Sequence, residues 1–346
     1  MWDDAHQVPH VDIGRSARLV VVAPATADLL ARAASGRTDD LLTATLLTAR
    51  CPVLYAPAMH TEMWEHPATR ANVATLRARG ALVLEPAEGR LTGADTGRGR
   101  LPEPAEIFAV CRLLLAGRLP DLAGRRLVVS AGGTREAIDP VRYLGNRSSG
   151  RQGYALARTA VARGAEVTVV AANVSLPDPA GAKVVRVGSA AELREAMLAE
   201  AGGADAVVMA AAVADFRPAE YTDTKIKKGA GEPPAVRLVR TADVLAELVT
   251  RRPAGQVVVG FAAETGDAAG GALEHGRAKL AAKGCDLLVV NEVGATRGFE
   301  VADNAGVVLS ADGEQVDVPH GSKDALADVV WDLVAARLTG QAPTRR

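Results

Sequence analysis

Aromatic residues are scarce in this chain, 3% of 346, which excludes the stacking platforms on which single-stranded nucleic acid is held. Charge of one sign is lacking too. Forty Lys and Arg against 41 Asp and Glu give a net charge of −1, so no global field draws the chain to nucleic acid or to an anionic membrane. Basic residues must therefore act where they cluster. Cys51, Cys111 and Cys285 are far apart and show no CxxC or Cys/His spacing. They read as reduced thiols in apolar runs of a cytoplasmic protein, not as a disulfide frame or a metal site. No run approaches the roughly 18 apolar residues that span a bilayer, and the polar, acidic start "MWDDAHQVPHVDIG" is unlike a signal peptide. Nor does GxGxxG follow any strand candidate, which weighs against a dinucleotide-binding first turn.

What is present is 48% hydrophobic sequence, broken into short runs. Strands are predicted at 17–24, 52–58, 81–86, 126–132, 166–172, 205–211, 256–262 and 286–292. Their apolar residues are continuous rather than alternating, the pattern of parallel strands buried on both faces. Helical patterns such as "TADLLARAA", "ATRANVATLRARG", "AELREAMLAEAGG" and "ALEHGRAKLAAKG" lie between them, several closed by glycine. This is α/β with crossover connections. The Pro/Gly stretch "LAGRLPDLAGRR" (115–126) separates a helix from a fresh strand and divides the chain into expected domains at 1–118 and 119–346. "GVVLSADGEQVDVPHG" reads as a hairpin turning at Asp312-Gly313, followed by a last amphipathic helix. The first domain opens on loop-like residues and offers only three strands.

Several stretches could carry chemistry. After the strand "RLVVSAG", glycines are split between Gly132-Gly133 and Gly150-x-x-Gly153, with "TREAIDPVRYLGNRSS" between them. Ser148, Ser149 and Gly150 fall at a helix start, where amides and the positive dipole end can hold phosphate. A capped surface loop is the plainer alternative, with Asn146 as an Asx-turn residue. "DTKIKKGAGEPP" places Lys225, Lys227 and Lys228 in a Gly/Pro-rich loop, either a solvated charge run or a lid over phosphates hinged at Gly229 and Gly231. Lys279 and Lys283 share a helix face near its C-terminus, where they complement the dipole or clamp a triphosphate. Asp215 in "AAAVADF" lies just beyond a strand's carboxyl end, where open α/β sheets bind ligands. "LTGADTGRGRL" (91–101) is a glycine-rich basic loop, a connector or a flap.

These residues together resemble a known family. "AGGTREAIDPVRYLGNRSSGRQG", "AAAVADF", "KIKK", "VVGFAAET" and "GFEVADN" occur in the order found in phosphopantothenate–cysteine ligases. The first domain is similar to the back half of phosphopantothenoylcysteine decarboxylases, and in many bacteria the two are fused in coenzyme A biosynthesis. The resemblance implies two Rossmann-like domains, an incomplete flavodoxin-like decarboxylase domain followed by a parallel-sheet ligase domain with a C-terminal hairpin. It also implies that CTP activates 4′-phosphopantothenate as an acyl-cytidylate with release of pyrophosphate, that the amine of L-cysteine then displaces CMP, and that Mg²⁺ bridges the phosphates. On the family pattern Asn146 contacts the acyl group with Arg142 beside it, and Lys225 is the lid lysine. Met209, Ala210, Ala211, Asp215, Phe261, Lys279 and Lys283 match the CTP site, while Ser148 and Ser149 are taken as substrate-binding.

In the first domain the resemblance implies FMN-dependent decarboxylation of the ligase product. His10 in "HVDIG" matches an active-site histidine and Thr26 in "APATAD" a flavin-contacting turn. Met59 and His60 in "APAMHTEMW" match a substrate motif whose usual Asn is here His60. Gly93 stands where many relatives carry a reprotonating cysteine. The family's first strand and flavin-phosphate loop should precede residue 1, so the chain is read as N-terminally shortened, with weak or no flavin binding expected. The resemblance further implies a homodimer through the ligase domain. Two alternatives are carried: a nicotinamide-dependent oxidoreductase on a Rossmann-like sheet, and a regulatory subunit without decarboxylase activity.

Overall fold

The structure is a computed structural model and describes residues 8–91, 95–117, 120–227, 235–264, 271–292 and 303–340. It divides into two compact units, Met1–Asp121 with Asp178–Gly181, and Leu122–Pro177 with Ala182–Arg346.

The first unit contains α1 (Pro9–Ser16), β1 (Val20–Ala25), α2 (Ala27–Ser35), α3 (Leu41–Thr48), β2 (Val53–Pro57), α4 (Thr61–Glu65), α5 (Pro67–Ala78), β3 (Leu82–Val83), β4 (Ala87–Arg90), β5 (Thr96–Arg100) and α6 (Pro104–Leu115). Strands β1, β2 and β3 form a parallel sheet in that order. Local chemistry sets the helix ends. The Thr26 hydroxyl accepts the Leu29 amide to start α2, Gly36 closes it at φ 71°, and Asp40 and Thr43 cap α3 reciprocally. The core gathers Leu30, Tyr55, Trp64, Val73 and Leu76. Two expectations are corrected. The opening is helical from Pro9, whose fixed φ suits a first helical position. Residues 96–100 of the supposed loop pair antiparallel with 87–90.

The second unit contains β6 (Arg126–Gly132), β7 (Arg135–Ala137), β8 (Tyr143–Gly145), α7 (Arg151–Ala162), β9 (Glu166–Ala172), β10 (Ala182–Val187), α8 (Ala190–Ala201), β11 (Ala206–Met209), β12 (Phe216–Pro218), β13 (Leu238–Arg240), α9 (Val244–Arg251), β14 (Val257–Glu264), α10 (Ala272–Lys283), β15 (Leu287–Glu292), β16 (Asp303–Ser310), β17 (Gln315–Ser322) and α11 (Lys323–Thr339). Eight strands form one sheet, β10-β9-β6-β11-β14-β15-β16-β17. Its pairings are parallel from β10 to β15 and antiparallel across the closing hairpin. One core packs α7 and α11 onto the sheet, with Trp331 Nε1 donating to the Leu156 carbonyl at 2.9 Å. On the opposite face a second core packs α8 and α9 around Leu193, Met197 and Leu248. Strand β10 was not anticipated. As an edge strand it is nowhere fully buried, so its sequence mixes charge with valine and lacks a continuous apolar run.

Candidate functional site

The second unit's site follows from its strand order. From β6 the chain moves outward to β9 and β10, then returns to place β11 on the other side of β6. The connections leaving β6 and β11 therefore diverge, opening a crevice at the strands' carboxyl ends. Glycine makes the bend possible. Gly132 has φ +85°, and a Cβ there would lie 2.0 Å from the Ala172 carbonyl oxygen. Backbone bonds then tie the two diverging segments together: Ala212 N–H to Gly132 O at 2.8 Å and Thr134 N–H to Ala212 O at 3.1 Å. The Ser130 hydroxyl accepts the Ala211 amide at 3.0 Å, and the Thr134 hydroxyl accepts the Ala214 amide at 2.9 Å. Asn146 joins the same segment, donating Nδ2 to the Val213 carbonyl at 3.0 Å.

Two helices begin at this crevice. Gly150 is the N-cap of α7 at φ 78° and offers no capping side chain, so the helix's first amides keep capacity for an anion. Gly153 sits directly on β6, its hypothetical Cβ 2.5 Å from that of Ala131. Asp243 caps α9 by accepting the Ala246 amide at 3.1 Å and pairs with Lys283. Burial would raise the Asp243 carboxyl, but Lys283, the Ala246 amide and the charge of Lys279 outweigh burial and hold it below the usual range.

The result is a cleft of ≈ 970 Å³. Asn146, Ser148, Ser149, Met209, Ala210, Ala211, Asp215, Phe261, Lys279 and Lys283 all line it, although they come from four separate stretches of sequence. Among the described residues, six basic side chains (Arg147, Arg151, Arg240, Lys279, Lys283 and Lys323) border it against two acidic ones, Asp215 and Asp243. In a chain with net charge −1, that concentration marks an anion site. Arg142 and Lys225 are not on its wall. Arg142 Nη2 donates to the Ile226 carbonyl at 2.8 Å, and Lys225 is exposed in the adjoining segment. Sequence reasoning missed Thr241–Leu245, Arg151, Asn291 and Lys323, which also line the cleft. The helix-start signal of Asp243 before "VLAELV" could have revealed the first group. Lys228, Gly229, Gly231, Gly93 and most of "GFEVADN" lie outside the described residues.

The first unit holds its candidates differently. His10 is half-buried on α1, with its carbonyl accepting the Thr48 hydroxyl at 2.8 Å. Thr26 serves as the α2 cap at 3.2 Å from the Leu29 amide. The Met59 amide donates to the Gly99 carbonyl at 2.9 Å, and His60 is exposed before α4. A cavity of ≈ 270 Å³ lies between α3, β2 and α5, and none of these four residues lines it. No cluster of three or more metal-binding side chains occurs among the described residues, and no helix of them is long and apolar enough to cross a membrane.

Comparison with known proteins places both units. Residues 122–338 match the family of the DNA/pantothenate metabolism flavoprotein C-terminal domain, and residues 1–114 match the flavoprotein family. The chain is 61% identical over 350 residues to a coenzyme A biosynthesis bifunctional protein CoaBC of Mycolicibacterium smegmatis, covering 99% of this chain and 84% of that one. The Bacillus subtilis protein of the same name is 42% identical, over 96% of this chain and 82% of its own length. Among solved structures, the C-terminal domain of a CoaBC protein is 32% identical with a TM-score of 0.54, covering 64% of this chain and all of that one. A DNA/pantothenate metabolism flavoprotein from Streptococcus pneumoniae shares the fold at a TM-score of 0.52 and 19% identity, over 62% of this chain and 99% of that one.

Proposed function

The chain belongs to the family of bifunctional coenzyme A biosynthesis proteins, whose activities are phosphopantothenate–cysteine ligation and decarboxylation of the product, and on that premise we propose that its larger unit runs the ligation with CTP. The observation that carries this is the cationic cleft at the switch point, where two helix N-termini and six basic side chains face one volume. The carboxylate of 4′-phosphopantothenate attacks the α-phosphorus of CTP and pyrophosphate leaves. The amine of L-cysteine then attacks the acyl carbon, CMP leaves and an amide remains. Both steps concentrate negative charge on phosphate and then on a carbonyl oxygen, and preorganised donors lower such barriers.

In this reading Lys279 and Lys283 take the phosphates, with Lys283 released from Asp243 as they arrive. The start of α7, with Ser148 and Ser149, supplies amides and hydroxyls. Phe261 and the strand end Met209–Ala211 bound the nucleoside side of the cleft. Asn146, oriented by Val213, faces the acyl group with Arg142 in the same loop, and Lys225 covers the phosphates from the adjoining segment. Mg²⁺ would accompany the phosphates. It is commonly held by one or two carboxylates besides phosphate oxygens, and Asp215 is the cleft carboxylate not engaged in a helix cap.

For the smaller unit the proposed cofactor is FMN, supported by the match over residues 1–114. Thr26 would meet the flavin, and His10, Met59 and His60 the substrate. None of the four lines the ≈ 270 Å³ cavity of this unit, and no step is derived through the flavin. The protein is proposed to act in the cytoplasm as a homodimer through the larger unit. Tyr143, Leu144, Phe216 and Leu238 are exposed on its two small two-stranded sheets, and their burial against a second copy would remove apolar surface from water. The decisive experiment is pyrophosphate release by the purified chain given CTP, Mg²⁺ and 4′-phosphopantothenate, with and without cysteine. Formation of 4′-phosphopantothenoylcysteine only when all are present establishes the ligase. No release with CTP or ATP refutes it. A nicotinamide enzyme would instead show NAD(P)H raising the melting temperature.

A further inference from the structure

Asp139 is a buried carboxylate to which the reaction above gives no role. Its side chain is fully shielded from solvent beside Arg142, and its oxygens are all engaged. One accepts the amides of Val141 at 2.8 Å and Arg142 at 2.7 Å. The other accepts the amide of Ile226 at 3.1 Å, from a segment 87 residues away in sequence, and lies 3.4 Å from the Arg142 guanidinium. Arg142 completes the contact by donating to the Ile226 carbonyl at 2.8 Å. Both backbone groups of Ile226 are thus taken by one acid–base pair, and Ile226 stands between Lys225 and Lys227. A further bond, Thr222 N–H to Ile138 O at 3.1 Å, fixes the same two segments a few residues away.

A surface charge run needs no such arrangement. Turn geometry accounts for the two local amides on Asp139, but not for the amide of Ile226. A buried carboxylate that accepts amide hydrogen bonds holds them strongly, because the charge is costly to leave unpaired. Burial acts to raise this carboxyl, and the three amides with Arg142 more than offset it, holding it below the usual range. The other end of the Asp139 loop runs through β8 to Asn146, itself bonded to Val213 at the cleft.

We propose that Asp139 is a positioning residue that clasps the Lys225 segment to the loop ending at Asn146, and so sets where the lysine stands relative to the cleft. The proposal rests on the reading of Lys225 as a phosphate-binding group. It also explains how Arg142, off the cleft wall, bears on the reaction: its guanidinium is spent on the clasp.

The test compares Asp139→Asn, Lys225→Ala and the double variant in the full chain. Asparagine still accepts the two local amides but turns an N–H toward the Ile226 N–H, opening only the long-range arm. Amide exchange in a peptide spanning residues 222–227 should then accelerate by about tenfold or more, and KM for CTP should rise on the order of tenfold with a smaller change in kcat. Lys225→Ala should raise KM without altering exchange, and the double variant should be no worse than Lys225→Ala alone, because Asp139 acts through that lysine. Unchanged exchange, unchanged KM or additive losses in Asp139→Asn each overturn the proposal. Normal CTP use by Lys225→Ala overturns the reading of the lysine instead, and is told apart because the exchange difference in Asp139→Asn persists. If Asp139→Asn does not fold, Ile226→Pro deletes the same N–H from the half-buried partner and is judged by the same two readouts.

Discussion

Gly153→Ala sets helix propensity against packing at the site, and the structure decides which wins. Gly153 lies within the first turn of α7, buried against β6. Propensity favours the substitution, since alanine is better than glycine in a helix interior by about 1 kcal/mol. Packing opposes it: the added methyl would stand 2.5 Å from Ala131 Cβ and 2.8 Å from the Ser130 carbonyl oxygen. Both neighbours belong to a central strand, so neither can rotate away, and carbon atoms need roughly 3.5 Å or more. The start of α7 must back off by about 1 Å. Overpacking of this kind costs about 1–3 kcal/mol, leaving a net loss of up to about 2 kcal/mol, or up to roughly 8 °C for a domain of this size. The displacement also moves Ser148, Ser149 and Arg151 from the cleft, so kcat/KM for CTP should fall about tenfold or more. Gly202→Ala is the matched control. That glycine has φ −60°, at the end of α8, and nothing within 4 Å of its hypothetical Cβ, so alanine should be neutral or stabilising by up to about 1 kcal/mol. Thermal unfolding and CTP-dependent pyrophosphate release are measured on both. A Gly153→Ala protein as stable and active as Gly202→Ala would refute the close approach of α7 to β6 and the anion role drawn from it.

Other perturbations separate the parts of the mechanism. Lys225→Ala should weaken nucleotide use, whereas Asn146→Asp, which puts a carboxylate against the Val213 carbonyl, should leave pyrophosphate release and block amide formation; product analysis distinguishes them. Asp205 is drawn up by burial but held lower by the Arg126 amide at 2.8 Å and Arg125 at 3.0 Å. A depressed carboxyl adds stability that is complete above its unfolded value near pH 3.9 and disappears as pH falls through the lower native value. Asp205→Asn should therefore lower the melting temperature at neutral pH, with the gap to wild type narrowing below about pH 4. Leu144→Asp, on an exposed hairpin residue, should halve the sedimenting mass if that surface joins two copies, and an unchanged mass would place the contact elsewhere.

The parallel strands were legible because burial on both faces leaves an unbroken apolar run: 126–132 and 166–172 are β6 and β9 to the residue. Elements without that signature escaped. β10 lies at an edge, where charged residues interrupt its valines. The apolar helix α3, "LLTATLLT", has no polar stripe to reveal its period, and it leaves Leu41, Leu42 and Leu47 exposed. β5 is made of glycine, arginine and threonine, so its pairing with β4 comes from backbone bonds alone.

At the site the division is sharper. Ser148, Ser149, Asp215, Lys279 and Lys283 could be named from sequence because each carries a local signal, a helix start, a strand end or a paired charge. What sequence could not supply is that they meet, since that depends on β11 being laid beside β6 rather than beyond β10. The same choice of strand order brings in Thr241–Leu245 from the start of α9 and Lys323 from α11, where the Asp243 helix start is a local signal that does not by itself point to the cleft. It also carries the segment bearing Lys225 within reach of Asp139. The cationic character of this cleft is therefore a property of the crossover topology acting on side chains of ordinary local meaning. A substitution that leaves every motif intact but disturbs the β6–β11 junction, such as Gly132→Ala with its Cβ driven onto the Ala172 carbonyl, should abolish CTP binding as completely as loss of the lysines. Measured CTP affinity near wild type in that variant would show that the motifs, not the junction, make the site.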